Sequence, residues 1–123
     1  MIFIKDSVPI IGVNSIHHPN RQRFTIAHEI GHYQLHRNIL TSEVHVDKNF
    51  PVLMRDETSA TGTAIIEIQA NKFAACLLMP QALLDRALAG QRFDIDDDRP
   101  LEELAKRFRV SKQALDYRIA NRV

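Results

Sequence analysis

The stretch from Phe24 to His36, FTIAHEIGHYQLH, constrains this chain more than any other. Inside it lies His28-Glu29-Ile30-Gly31-His32, an H-E-x-x-H pattern. On a helix, residues four apart sit one turn on and about 40° round the axis, so His28 and His32 present their imidazoles side by side. Two imidazoles so placed can bind one metal ion. Glu29 is rotated about 100° from His28 and stands beside such an ion rather than on it. A general base acting on metal-activated water belongs at that place. The bland alternative is a chance pattern, with two histidines that are merely polar positions on a helix. The flanks favour the helix, because Phe24, Ala27, Ile30, Gly31 and Leu35 supply apolar or small positions. Gly31 costs the helix roughly 0.5–1 kcal/mol relative to alanine. It fits either a substrate strand passing close by or tight packing of a second helix.

A chain of 123 residues has the size of one domain with one modest core. Its 45% hydrophobic and 25% charged residues match an ordinary globular protein. The net charge of +1 supplies no global attraction to nucleic acid or membranes. No apolar run approaches the ~18–20 residues of a membrane span. The start, MIFIKDSVPIIGV, is interrupted by Lys5, Asp6 and Pro9 and does not read as a signal peptide. The single cysteine, Cys76, excludes an internal disulfide or a cysteine metal cluster, and its apolar neighbours make it a small core residue. A cytoplasmic location is the expectation.

The order of elements predicts an α+β fold. Residues 2–4 and 8–13 read as two short strands around a Lys5-Asp6-Ser7 turn, with Pro9 marking an edge strand or a strand start. Residues 14–20 form a loop in which His17 and His18 are exposed, and Asn20 is placed to cap the helix that follows. Arg21 and Arg23 in its first turn oppose the helix dipole, either tolerated there or turned to an acidic or partner contact. Residues 43–46 and 50–54 read as further extended segments and 55–63 as a loop. A second helix runs from Ala64 to Leu78, with Ile66, Ala70, Phe73, Ala74 and Leu77 on one face. Met79-Pro80 breaks it, and a third helix spans residues 81–89 with Gly90 beyond its end. Asp94, Asp96, Asp97 and Asp98 lack the glycine and terminal glutamate of a calcium loop and read as a solvated turn ending in a helix cap. Helices at 101–108 and 112–121 follow, with Ser111 as N-cap. The spacing of Ala105, Val110, Leu115 and Ile119 resembles a helix-turn-helix hairpin. Lys112, Gln113 and Arg118 on its second helix are the chain's best, and weak, signal for DNA. Residues 1–98 would form a core and 99–123 a hairpin packed on it or extending it, within a single domain.

A catalytic zinc takes three protein ligands and leaves a position for water. Glu67 is the leading third ligand, since its neighbours Ile65, Ile66, Ile68 and Ala70 make a buried carboxylate expensive unless it is compensated. The alternative is an exposed helix residue. Asn71, one turn on, is placed to hydrogen-bond a ligand histidine. His36 lies a further turn beyond His32; three histidines on one straight helix span about 12 Å, too far for bonds of about 2.0–2.1 Å to one ion. His17, His18 and His45 stand next in line.

The run from Arg23 to His32, then Glu67-x-x-Ala70-Asn71-x-Phe73-Ala74, then Leu77-Leu78-Met79-Pro80, resembles the ImmA/IrrE family of metallopeptidases. The segment from Leu104 to Arg118 also resembles the one that often follows that core. The match covers about three quarters of the chain and is far more specific than H-E-x-x-H alone. At this length the chain has no room for an additional N-terminal helical segment or a large C-terminal sensory domain. The resemblance implies a zincin-like domain with His28, His32 and Glu67 on Zn2+ and Glu29 as base. It further implies a regulatory protease that cleaves a helix-turn-helix transcriptional repressor. His36, His45, Tyr33 or a loop N–H would then steady the oxyanion, and substrate would add to a free strand edge. Two rivals come from another class. One is a non-catalytic zinc-binding partner of a repressor or of DNA; the other is a toxin-like partner of an antitoxin. The presence of Glu29 argues against a purely structural site.

Overall fold

The computed structural model describes residues 1–37, 62–90 and 96–121. The extended segments expected at 43–46 and 50–54, most of the loop expected at 55–63, and both His45 and Asp94 lie outside those residues. The fold is α+β. Strands β1 (Ile2–Lys5) and β2 (Val8–Ile11) form an antiparallel pair in the register Ile2 to Ile11 through Lys5 to Val8. The two residues between them, Asp6 and Ser7, both have positive φ, 52° and 65°. A two-residue turn of that hand matches the natural twist of a hairpin. The second strand ends at Ile11 rather than Val13, although the Gly12 N–H still donates to the Met1 carbonyl at 3.0 Å.

Helix α1 spans Pro19–Leu35. It begins earlier than expected because Pro19 fits the first turn, where its missing N–H goes unused. The N-cap is therefore His18 and not Asn20: the His18 Nδ1 accepts the Asn20 N–H at 3.1 Å. The buried residues of α1 are Phe24, Ala27, His28, Glu29, Gly31 and His32, a stripe of helical period that carries the whole H-E-x-x-H pattern inward except Ile30.

That stripe packs on α2 (Gly62–Leu78), the principal helix–helix contact of the fold. Gly31 sits at the closest approach. A Cβ there would lie 3.1 Å from Phe73 Cβ and 3.2 Å from Ala70 Cα. Of the two readings of Gly31, tight helix packing is the one the fold requires. Ala70 and Ala74 are fully buried in the same seam. Cys76 is exposed, contrary to expectation, and Leu77 is 49% exposed. Ala74 and Ala75 face inward, and the helical period turns the next two positions outward.

Helices α3 (Gln81–Leu88), α4 (Arg99–Phe108) and α5 (Lys112–Ala120) complete the described elements. Pro80 is the N-cap of α3, and Ser111 caps α5 by accepting the Ala114 N–H at 3.1 Å. Pro100 stands in the first turn of α4, which lets that helix start at Arg99, two residues early. Asp97, rather than the N-cap residue Asp98, accepts from the Arg99 N–H and from its guanidinium. Leu104, Ala105, Val110, Ala114 and Leu115 join Phe24, Ala27, Ala74, Met79 and Leu84 in one apolar cluster.

Three polar side chains tie the α4–α5 hairpin to the rest. Arg23 donates to the carbonyls of Phe108 and Arg109, and Asn20 to that of Val110. Arg23 thus answers the carbonyl end of α4, which explains a cation in the first turn of α1. Arg118, 5% exposed, donates to the Met79 carbonyl and to Gln81.

Gly31→Ala tests the helix seam. Overpacking costs about 1–3 kcal/mol, against a helix-propensity gain of about 1 kcal/mol. The expected outcome is a net loss of about 1 kcal/mol, read as a lower urea midpoint with an unchanged slope.

Candidate metal centre

α1 contributes His28 and His32 and α2 contributes Glu67 and Asn71, so the seam pinned by Gly31 also fixes the distance between the two halves of the cluster. His28 and His32 are 1% exposed and Glu67 is 6% exposed. The three donor atoms converge. His28 Nε2 lies 3.0 Å from Glu67 Oε2, His32 Nε2 lies 3.0 Å from Glu67 Oε1, and the two Nε2 atoms are 3.1 Å apart. The imidazole rings meet edge to face, 4.7 Å between centroids, which lets both aim a nitrogen at one point.

The far side of His28 decides what its near side carries. His28 Nδ1 lies 2.7 Å from Asn71 Oδ1. An amide oxygen only accepts, so Nδ1 holds the ring proton and Nε2 of the neutral ring presents a lone pair. A lone pair faced by a buried carboxylate is repelled unless a cation joins them. The donor set of two imidazole nitrogens and one carboxylate is the type that holds a catalytic divalent metal with a position left open. Among the described residues, His28, His32 and Glu67 are the group of histidines, cysteines and carboxylates close enough to hold a metal ion. The chemistry of this donor set fits such an ion.

Glu29 follows His28 directly and is fully buried, with Oε1 3.5 Å from the Met1 nitrogen at the start of β1. The side chain therefore turns inward between α1 and the hairpin. His17 and His18 stay in the loop ahead of α1 and do not join the cluster. His36 is 6% exposed, with Nδ1 3.0 Å from His32 Nδ1 and Nε2 2.7 Å from Gln69 Oε1. Both its nitrogens are engaged, so it is not an oxyanion donor; it lies behind His32 rather than in the cluster. Gln69 was not visible as a site residue in the sequence. Its place two residues beyond Glu67, about 200° round α2, gave no such signal. Tyr33 carries the Arg37 guanidinium over its ring at 4.2 Å and faces partly to solvent.

The chain matches the model of the IrrE N-terminal-like domain, peptidase family M78, over residues 3–120. It belongs to that metallopeptidase family. It is 39% identical over 114 residues to the radiation response metalloprotease IrrE of Deinococcus deserti, covering 92% of this chain and 36% of the relative. It is 38% identical over 109 residues to the protein of the same name from Deinococcus radiodurans, covering 88% and 30%. It is 32% identical over 100 residues to the metallopeptidase ImmA of Bacillus subtilis, covering 80% and 49%. The chain thus spans less than half the length of each of these relatives. No solved structure matches it significantly. The family model runs through the α4–α5 hairpin as well as the helix pair, so the hairpin belongs to the family's common part.

Elemental analysis of the purified protein should find about one divalent metal per chain, absent from Glu67→Ala. Asn71→Leu should fold but bind the metal about 10–100-fold more weakly, because His28 loses the acceptor that fixes its tautomer. A metal content unchanged in Glu67→Ala would move the third ligand elsewhere.

Proposed function

We propose that this chain is a zinc-dependent endopeptidase of regulatory role, acting on a helix-turn-helix transcriptional repressor. The observation that carries the reading is the convergence of His28, His32 and Glu67 beside a buried Glu29. When bound, the metal lowers the pKa of a water molecule and polarises the scissile carbonyl. His28, His32 and Glu67 hold it. Two neutral imidazoles and one carboxylate leave it a net positive charge to do so. Glu29 takes the proton of the attacking water and passes it to the leaving amine. Residues 1–98 serve as the peptidase core and 99–123 as a hairpin packed on it or extending it, within a single domain. The protease names of the relatives support a protein substrate. The repressor is the substrate class that the family resemblance favours, and a cytoplasmic reaction is part of the same reading. Among the described residues, no helix is long and apolar enough to cross a membrane.

The contacts of the hairpin speak against DNA as its partner. Lys112 donates to Asp116 at 2.8 Å and lies 3.7 Å from Asp98, and the Asp116 hydrogen bond raises its pKa. Arg118 is buried against the Met79 carbonyl. Of the three residues singled out for nucleic acid, Gln113 alone remains exposed and uncommitted among the described contacts.

The test is cleavage of the repressor encoded nearest to this gene, by zinc-loaded protein and by Glu29→Gln. We expect the variant to keep its metal and to lose about 10²–10⁴-fold in rate, the usual contribution of a general base. Cleavage that survives Glu29→Gln at full rate excludes Glu29 as the base. Metal binding without cleavage of any repressor favours the binding-partner reading.

A further inference from the structure

Buried His36 and the surface residue Gln69 belong to a chain of hydrogen bonds that the proposed mechanism does not use. We propose that they act as a two-residue positioning relay that sets the tautomer of His32 and so readies its Nε2 for the metal. The inference rests on the metal reading of the His28–His32–Glu67 cluster.

His32 presents Nε2 to that cluster, 3.0 Å from Glu67 and 3.1 Å from His28 Nε2. To ligate through Nε2, a neutral imidazole must carry its proton on Nδ1. For His28 that requirement is met directly by the Asn71 carbonyl oxygen. Behind His32 stands a second imidazole. Its Nδ1 meets His36 Nδ1 at 3.0 Å, and an imidazole nitrogen either donates or accepts. The direction of this bond is therefore undetermined by the two histidines alone. Gln69 determines it. Its Oε1 lies 2.7 Å from His36 Nε2 and only accepts, so Nε2 of His36 holds the proton. His36 Nδ1 is then a lone pair, and the His32 Nδ1–H donates to it. The relay runs from His32 through His36 to Gln69, and each proton points away from the cluster.

The arrangement also accounts for two features left over from the sequence. His36 is only 6% exposed, although it lies at the C-cap of α1 and is too far along the helix to share the ion with His28. Gln69 is an exposed position whose side chain is nonetheless committed to an interior histidine. A ligand histidine supported by a fixed acceptor binds metal more tightly than one left free to choose its tautomer.

The experiment reads the tautomer without metal and the affinity with it. Long-range ¹H–¹⁵N spectra of the metal-free protein should show a proton on His32 Nδ1 in the wild type, whether or not Nε2 also carries one where it faces Glu67. In His36→Ala and Gln69→Leu, a mixture of tautomers is expected. Gln69→Glu keeps an acceptor at the same place and should retain the wild-type pattern. Zinc affinity, measured by competition with a chelator, should fall about 10–100-fold in His36→Ala, by less in Gln69→Leu, and not in Gln69→Glu. Circular dichroism checks that each variant is folded; Gln69 lies at the surface, so its variants keep the test usable if His36→Ala does not fold. An Nδ1 proton on His32 and an unchanged zinc affinity in Gln69→Leu would overturn the relay. A wild type that shows the expected tautomer yet binds no zinc leaves the relay standing and overturns the metal reading instead.

Discussion

Helices α1 and α2 can share a metal only if their backbones come close, and that approach rests on one missing methyl group. Gly31 lies where any Cβ would press on Phe73 and on the backbone of Ala70 at 3.1–3.2 Å. The small residues opposite, Ala70 and Ala74, remove side-chain bulk from the other side of the seam. The same turn of α1 that carries Gly31 carries His28 and His32, and the same turn of α2 carries Glu67 and Asn71. Backbone proximity and the geometry of the donor set are therefore one constraint. Widening the seam would separate the two imidazoles on one helix from the carboxylate on the other.

The cluster so formed combines groups that each oppose burial. Glu29, His28, His32, Glu67 and Asn71 are all within 6% of full burial. Polar groups in the interior are tolerated when each atom has an assigned partner. Here the partners of the histidines are ordered from the outside in. Amide oxygens of Asn71 and Gln69 fix ring protons on the outer side of the histidines, directly or through His36. The lone pairs that remain point at one place. A cation there neutralises a carboxylate and satisfies two imidazoles at once, so the metal would complete the interior as well as the chemistry.

Away from the cluster, the α4–α5 hairpin acts as a buttress. Arg23 and Asn20 from the start of α1 hold the turn between its helices, and Arg118 reaches back to the break between α2 and α3. These bonds attach the hairpin to the ends of both helices that form the cluster. A segment that looks like a nucleic-acid reader by spacing thus commits Lys112 and Arg118 to carboxylates and a carbonyl of its own chain. Family membership across residues 3–120 agrees with a hairpin that belongs to the fold.

Much of this was legible in the sequence, for a local reason. Helical periodicity places His28, Glu29 and His32 in relation to one another without any knowledge of the rest, because all three hang on one rigid element. The break at Met79-Pro80 and the Ser111 cap are likewise properties of adjacent residues. A carboxylate among isoleucines on a second helix marked Glu67, and its spacing to Asn71 marked an amide on the same face. The failures share the opposite character. Which face of α2 turns outward decided that Cys76 is exposed, and an apolar neighbourhood in sequence does not specify a face. His18 displaced Asn20 as the cap because Pro19 moved the start of the helix. Whether Gly31 served a substrate or a neighbouring helix, where Arg23 sent its charge, and why His36 is buried behind His32 all depend on contacts between residues far apart in the chain. The sequence by itself determined the chemistry that one helix offers. Only the tertiary structure decided which groups meet it, because the distance between two helices is set by the packing of both.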